Sequence, residues 1–434
     1  MRKMKNSGIQ WLGEYPSDWN LIKIKYVLKE RVEKNNPVRT SDILSLTAKQ
    51  GVIPYEEKEG GGNKPKEDVS AYRLAYPGDI VMNSMNILSG SVGLSKFFGC
   101  VSPVYYMLRP QNKNEDVRYY NYIFQTEVFQ KSLFGLGNGI LIKESGNGKL
   151  NTIRMRIPMD KFGELYIPVA PIATQHSISA YLDSKCSEID ALTADIQTQI
   201  DTLEQYKRSV ITEAVTKGLD KDVEMKESGS QYWGDIPVKW DIVDIKYLFE
   251  IVKRIAGHEG YDILSITQHG IKVRDTSTNE GQVAADYSNY QFLYPGEYAM
   301  NHMDLLTGWV DLSDKFGVTS PDYRVFRLRD TKRNSRRYYK YIMQICYMSR
   351  IFYSLGNGVS NLGRWRLQTS SFNNFKVPVP PYEEQEEISD YLDAKIREIE
   401  ATIELKNEQL STLDLFKKSL IYEYVTGKKE VPAV

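Results

Sequence analysis

Two copies of Leu-Gly-Asn-Gly, at 136–139 and 355–358, offer the first residue pattern that could do chemistry, since glycine-rich turns can cradle phosphates. Such cradles follow a strand and open a helix, so that helix N-terminal amides meet the anion. Here the order is reversed. Tyr119, Tyr122, Ile123, Val128 and Phe129 recur at helical spacing before the first copy. Gly135 or Gly137 therefore reads as a turn just past a helix end, where glycine takes a positive φ at little cost. The second copy has Ser354 in place of Gly135, which breaks a GxGxG pattern. The run Gly146 to Lys149 lacks the upstream Gly and the following Ser or Thr of a P-loop, and reads as a basic loop.

The remaining reactive residue types are equally sparse in pattern. His176, His258, His269 and His302 have neither HExxH spacing nor cysteine neighbours, which argues against zinc. Cys100, Cys186 and Cys346 are far apart and read as buried, reduced thiols. Asp322 follows Pro321 as in a nuclease Pro-Asp pattern, but Val104 stands at the matching position of the first half, and no Glu-x-Lys or Asp-x-Lys follows within the expected strand. The Asn-Pro-Pro-Tyr and Asp-Pro-Pro-Tyr signatures of amino-methyltransferases are absent. No catalytic, metal-binding or cofactor-binding residue is therefore expected in this chain.

The elements that would position any site come from a duplication. SGIQWLGEYPSDW from Ser7 returns as SGSQYWGDIPVKW from Ser228, DILSLT from Asp42 as DILSIT from Asp262, and YPGDIVMN from Tyr76 as YPGEYAMN from Tyr294. RYYNYI at Arg118 matches RYYKYI at Arg337, IPVAP at Ile167 matches VPVPP at Val377, and YLD recurs at Tyr181 and Tyr391. The 434 residues thus form two homologous units joined head to tail.

Each unit changes texture once. Short β-branched and aromatic runs broken by Gly, Pro and Asn give way to a long helical pattern. Leu182, Cys186, Ile189, Thr193, Ile196, Ile200, Leu203, Tyr206 and Val210 form one seam at spacings of three and four. Leu392, Ile396, Ile399, Ile403, Lys406, Leu410, Leu413, Phe416 and Leu420 form the other. At about 1.5 Å per residue each helix is roughly 60 Å long, and its apolar stripe needs a partner. The fold class is α+β: two homologous β-rich domains, each followed by a long helix, with the helices pairing as an antiparallel coiled coil. Expected boundaries are 1–172, helix 173–217, linker 218–225, second domain 226–381, helix 382–427 and tail 428–434.

Net charge is zero, but its blocks alternate: +7 over 1–172, −5 over 173–225, +4 over 226–381 and −6 over 382–434. The β-rich domains are basic and the helices acidic. No run approaches the roughly 20 apolar residues of a membrane span, and the opening residues lack the apolar core of a signal peptide, so a cytoplasmic location is expected.

These repeated motifs resemble the specificity (S) subunits of type I restriction-modification systems. Carriers of the resemblance are the opening SGIQWLGEYPSDW and its repeat, the YPGD and YPGE turns, SPDYRVFRL, LGNG, and the runs IPVAPIATQHSISAYLD and VPVPPYEEQEEISDYLD. A Pro-Pro-x-x-Glu-Gln element is complete at Pro380, Pro381, Glu384 and Gln385, whereas the first copy keeps Pro171 and Gln175 but has Ala170 and Thr174. The resemblance implies two target-recognition domains, each reading one half of a bipartite double-stranded DNA site, and helices that set the spacing. It also implies a noncatalytic role. Two modification subunits using S-adenosylmethionine, and restriction subunits using ATP and Mg, would be the partners. The alternatives are a self-sufficient nuclease using Asp322 and a coiled-coil scaffold that binds only proteins.

Candidate DNA contacts lie where scaffold similarity gives way to divergence, after LSLT and LSIT. In the first loop these are Lys49, Gln50, Lys64, Lys66 and Arg73; in the second, Gln268, His269, Lys272 and Arg274. Arg can pair bidentately with guanine and Gln with adenine, while lysine more often holds phosphate. Near LGNG, Lys143, Lys149, Arg154 and Arg156, with Arg364 and Arg366 in the repeat, are candidates for backbone contacts.

Overall fold

The computed structural model describes residues 2–47, 50–58, 65–85, 90–139, 155–275, 286–358 and 365–432. They fall into two compact units: residues 1–195 with 408–434, and residues 196–407. Each contains one β-rich domain and a stretch of both long helices.

The two domains share one antiparallel four-stranded sheet order. In the first unit it runs Leu28–Glu30, Tyr105–Pro110, Ile80–Asn83, Val92–Leu94; in the second, Phe249–Val252, Arg324–Leu328, Tyr298–Met300, Val310–Leu312. Buried cross-strand pairs such as Tyr106 with Met82 and Phe326 with Tyr298 suit a pleated face packed on a core. The YPGD and YPGE turns lead into these sheets. Gly78 and Gly296 have φ of +86° and +83°, a conformation that glycine alone adopts cheaply. The acid closing each turn accepts from the tyrosine N–H, at 3.0 Å for Tyr76 to Asp79 and 3.1 Å for Tyr294 to Glu297. That acid also pairs with an arginine: Arg31 Nε lies 2.9 Å from Asp79, and Arg254 meets Glu297. Both guanidinium groups rest over the turn tyrosine, 4.3 and 4.6 Å from the ring centre.

A second strand pair ties the opening motif to the start of each long helix. Asn20–Lys23 pairs with Tyr166–Val169, and Asp241–Asp244 with Lys376–Val379. The helices Ile172–Lys217 and Tyr382–Val425 begin directly beyond these strands. At that junction the repeated glutamine is fully buried. Gln175 Oε1 accepts from the Asp116 N–H at 3.1 Å while its Nε2 donates to Ala170 O at 2.9 Å. Gln385 does the same with the Ser335 N–H and Pro380 O, each at 2.8 Å. Asp116 and Ser335 are the N-caps of the domain helices Val117–Gln125 and Arg336–Met348, so one side chain satisfies both elements.

Two turns further on, the YLD aspartates receive the RYY helix. Arg118 and Tyr122 both donate to Asp183 at 2.6 Å, while Arg337 reaches Asp393 at 3.1 Å and Asp390 at 2.6 Å, with Tyr341 also on Asp393. The first tyrosine of each motif reaches the end of a long helix. Tyr119 OH donates to Val425 O at 3.1 Å within the first unit, and Tyr338 OH to Val215 O at 3.2 Å within the second.

Antiparallel pairing of the helices is visible inside each unit. Leu182, Cys186 and Ile189 from the first helix share a core with Leu420, Ile421 and Val425 from the end of the second. In the other unit Ile388, Leu392 and Ile396 pack with Val210, Ile211 and Val215. The expected seam is corrected at three positions: Thr193, Tyr206 and Phe416 are exposed. Lys207 and Lys417 take the inner positions instead of Tyr206 and Phe416, the same one-residue shift in both helices. It follows because 3.6 residues per turn drift from a strict 3.5 repeat, bringing the next residue inward. Each lysine lays its stem along the seam and sends its ammonium to an acid on the facing helix, Lys207 to Glu400 at 2.7 Å and Lys417 to Asp190 at 2.5 Å.

Replacing Gln385 with Leu would leave the buried Ser335 N–H without an acceptor. Urea unfolding of Gln385→Leu is expected to show a loss of about 1–3 kcal/mol. Glu398→Gln, on an exposed helix face, should change stability by less than about 0.5 kcal/mol.

Candidate nucleic-acid interface

The divergent loops sit on equivalent hairpins. Leu264–Thr267 pairs with Gly270–Val273, leaving Gln268 and His269 as the two-residue tip. Thr267 Oγ1 fixes that tip by accepting the His269 N–H at 3.1 Å, and Gly270 carries the positive φ of +95°. Both tip side chains are exposed, as is Lys272 on the returning strand. Arg274 is half-buried at the strand's end, its N–H donating to Ile263 O at 2.7 Å and its charge close to Tyr290 and Tyr323.

In the first unit Leu44–Thr47 pairs with Gly51–Pro54, and Gln50 is exposed beside Gly51 with its N–H on Thr47 Oγ1 at 3.0 Å. Lys66 is exposed, and its N–H donates to Tyr72 OH at 3.1 Å. Arg73 occupies a different kind of place. It is half-buried, paired with Glu30 at 2.5 Å and donating to Tyr105 O at 3.3 Å. Its counterpart Gln291 donates to Tyr323 O at 2.7 Å, so both residues brace the same strand. Lys49, Lys64, Lys143, Lys149, Arg154 and Arg364 lie outside the described residues, as does the run Gly146 to Lys149.

LGNG is a turn after a helix in both units. The helical stretch before the first copy is divided at Thr126 into Val117–Gln125 and Glu127–Ser132. Gly135 has φ +92°, and Asn138 then pairs with Arg156 in a short antiparallel ribbon. In the second unit Asn357 bridges to Arg366 by two backbone bonds of 3.0 and 3.2 Å. Gly356 is required there by close approach: a Cβ would overlap Trp365 and come within 2.8 Å of Leu305. Arg156 and Arg366 therefore hold equivalent, exposed positions on the ribbons.

The second unit gathers Gln268 and His269 into a polar cleft of about 1120 Å³. Lys340, Arg350, Trp309 and Arg397 also line it. Sequence reasoning missed Arg350, the one non-glycine residue with positive φ (55°) among the described residues. Nothing in its local sequence signals this conformation. Arg366 does not line that cleft; it stands near His302, whose ring lies beside the ribbon. His302 is half-buried, its Nδ1 lacks a hydrogen-bond partner, and burial together with the charges of Arg324 and Arg366 holds its pKa down to about 4. Arg324 itself is buried, donates to Leu367 O at 3.0 Å and stacks over Phe372, and burial brings its pKa down to about 10.

Asp322 is exposed, its N–H bonded to Ser320 Oγ at 3.2 Å. Among the described residues no group of three or more His, Cys, Asp or Glu side chains could hold a metal ion, and no helix is long and apolar enough to cross a membrane. All three cysteines are buried and free.

Two β-rich domains of one design, each mounted on paired long helices and carrying its own divergent polar hairpin, define a tandem recognition protein. Residues 237–410 match the type I restriction modification DNA specificity domain. The putative type I restriction enzyme MjaX specificity subunit of Methanocaldococcus jannaschii is 23% identical, covering 97% of this chain and 96% of that protein. The MjaVIII specificity subunit of the same organism is also 23% identical, over 96% of this chain and 94% of its own. A chain from a structure concerned with assembly and conformational transition of the type I R-M system shares the fold, with a TM-score of 0.66 and 12% identity, covering 96% of this chain and 99% of that one. Residues 237–410 thus match that specificity domain, and over nearly its whole length the chain is similar to type I restriction-modification specificity subunits.

The neutral state of His302 favours the folded protein. Its pKa is about 4 when folded against 6.5 ordinarily, so the unfolded chain binds more protons between these values. Its contribution is complete above about pH 6.5 and is lost as pH falls towards 4. His302→Ser, which installs the residue found at the equivalent Ser84, should shrink the fall in melting temperature between pH 7 and pH 4 relative to the parent chain. Thermal melts across that range check this.

Proposed function

We propose that each domain reads one half of a bipartite double-stranded DNA site, and that the helices fix half-site separation and dock two modification subunits. Restriction subunits complete the assembly; S-adenosylmethionine, ATP and Mg belong to those partners. The observation that supports this reading is the contrast within one chain: framework bonds recur pair by pair, whereas the hairpin tips, Ala48-Lys49-Gln50 and Gln268-His269, differ in sequence and length. Two readers of different half-sites require that contrast.

Gln50, Gln268 and His269 are the proposed base-edge readers, with Arg274 at the end of the second hairpin. Lys66, exposed in a loop, Lys272 on the returning strand, and Arg156 and Arg366 on the ribbons are proposed to hold phosphates. Arg73 is left to the framework. Docking of protein on the helices is supported by large apolar side chains outside the seam: Leu405, Leu415 and Phe416 are 60%, 64% and 54% exposed.

The purified chain alone is expected neither to methylate nor to cut DNA, and adding modification subunits should give adenine methylation at one bipartite sequence. Activity of the lone chain would sink the proposal. Exchanging the tip and returning strand, residues 268–274, for those of a relative should alter one half-site and leave the other intact. Lys272→Ala and Arg366→Ala should weaken binding to all sequences alike, each lowering the salt slope by about 1. Gln268→Ala should cost about 1–3 kcal/mol on the preferred site and relax one base position. Inserting about four residues into both helices should change the methylated spacer, read by mapping methylated adenines.

A further inference from the structure

From the first unit we infer a socket for a single carboxylate presented by a protein partner, at the start of the helix Ile172–Lys217. The argument begins with two tryptophans in equivalent places. Trp240 is fully buried, and its indole N–H donates to Glu384 Oε2 at 2.9 Å. Glu384 lies in the first turn of its helix, where an acid also offsets the positive helix end. Trp19 is 1% exposed, and its indole N–H has no hydrogen-bond partner. Thr174 stands where Glu384 stands in the repeat, and the first turn of this helix contains no acid.

The absence of that one side chain leaves a space. Where the second unit carries Glu383, Glu384 and Glu387, the first has Ala173, Thr174 and Ser177, and these small residues line a cleft of about 1010 Å³ with Trp19. A buried unpaired N–H costs about 1–3 kcal/mol, and an acceptor entering the cleft recovers it. Two independent features, the orphan indole and the acid-free helix end, therefore call for the same negatively charged group. The other unit shows which group suits it, a carboxylate.

The rim selects the source. Arg2 is paired with Asp18 at 2.6 Å and lies 3.7 Å from Glu430, and Lys429 is paired with Glu423 at 2.7 Å. A polyanion such as a nucleic-acid strand would meet Asp18 and Glu430, whereas one carboxylate on an apolar stem passes them. Ile178, Val431 and Pro432 give that stem an apolar wall. The occupant is an Asp or Glu side chain on a protein segment, and the inference is independent of which DNA is read.

Indole ¹⁵N-labelled full-length protein tests this directly, with Trp19→Phe identifying the Trp19 resonance. Terminally blocked Ala-Glu-Ala, titrated to about 10 mM to cover a Kd near 1 mM, should shift that resonance saturably, and blocked Ala-Gln-Ala should not. In Thr174→Glu, which supplies the chain's own carboxylate, the shift should vanish and the melting temperature should rise. No movement with the Glu peptide, or equal movement with the Gln peptide, overturns the socket. Equal movement with acetate at the same concentration makes it a free-anion site and overturns the protein source. The peptide titration decides even if Thr174→Glu fails to fold, and no DNA is present to confuse it with a failure of the DNA reading.

Discussion

A buried glutamine amide at the start of each long helix is the interaction on which the rest depends. Gln175 and Gln385 each accept the cap N–H of a domain helix and donate to the carbonyl that ends the preceding strand. Three elements meet at one side chain, and all of its partners are backbone groups removed from water. Sliding the domain along its helix would strand an N–H and a carbonyl together, whereas a purely apolar contact could slide with little penalty. The aspartates of YLD, two turns later, add a charge-assisted lock from Arg118 and Arg337. The runs IPVAPIATQHSISAYLD and VPVPPYEEQEEISDYLD, which carry part of the family resemblance, thus form the joint, and they say nothing about which bases are read.

Equivalent positions show that the constraint acts on the backbone group to be satisfied and not on the residue that satisfies it. Tyr106 OH donates to Ile157 O at 3.0 Å, and in the repeat Arg324 donates to Leu367 O. Arg73 and Gln291 likewise serve one carbonyl position with different chemistry. An arginine in a basic stretch near a loop therefore carries little information about DNA until its partner is known. Where no acceptor binds the side chain to the framework, as at Gln268 or Arg366, the residue is available for another partner.

The architecture was legible in the sequence because duplication and helical periodicity are long-range patterns, readable without side-chain geometry. The seam was less so: a spacing of three and four can pass through Tyr206 or Lys207, and only packing chooses the lysine. The candidate interface was legible as a region, since divergence between LSLT and LSIT marks the hairpins. It was not legible residue by residue. Arg73 looks like its neighbours in sequence yet faces Glu30, and the left-handed backbone at Arg350 has no local signature. LGNG shows the same limit, its glycines serving a positive φ in one copy and the approach of Trp365 in the other.

A net charge of zero is compatible with a DNA-recognition role because the charges are segregated along the chain. At physiological salt, exposed charges more than about 8 Å apart are largely screened, so a phosphate responds to the surface beside it and not to the chain's sum. The β-rich domains carry a positive excess, and the helices an acidic one. Acidic helices disfavour phosphate along their length, which fits the proposed placement of the polyanion on the domains. The same segregation fits the proposed docking of protein partners on the helix faces. It makes the acid-free start of the first long helix stand out, because that stretch breaks the acidic rule at the one place among the described residues where a buried indole N–H has no acceptor.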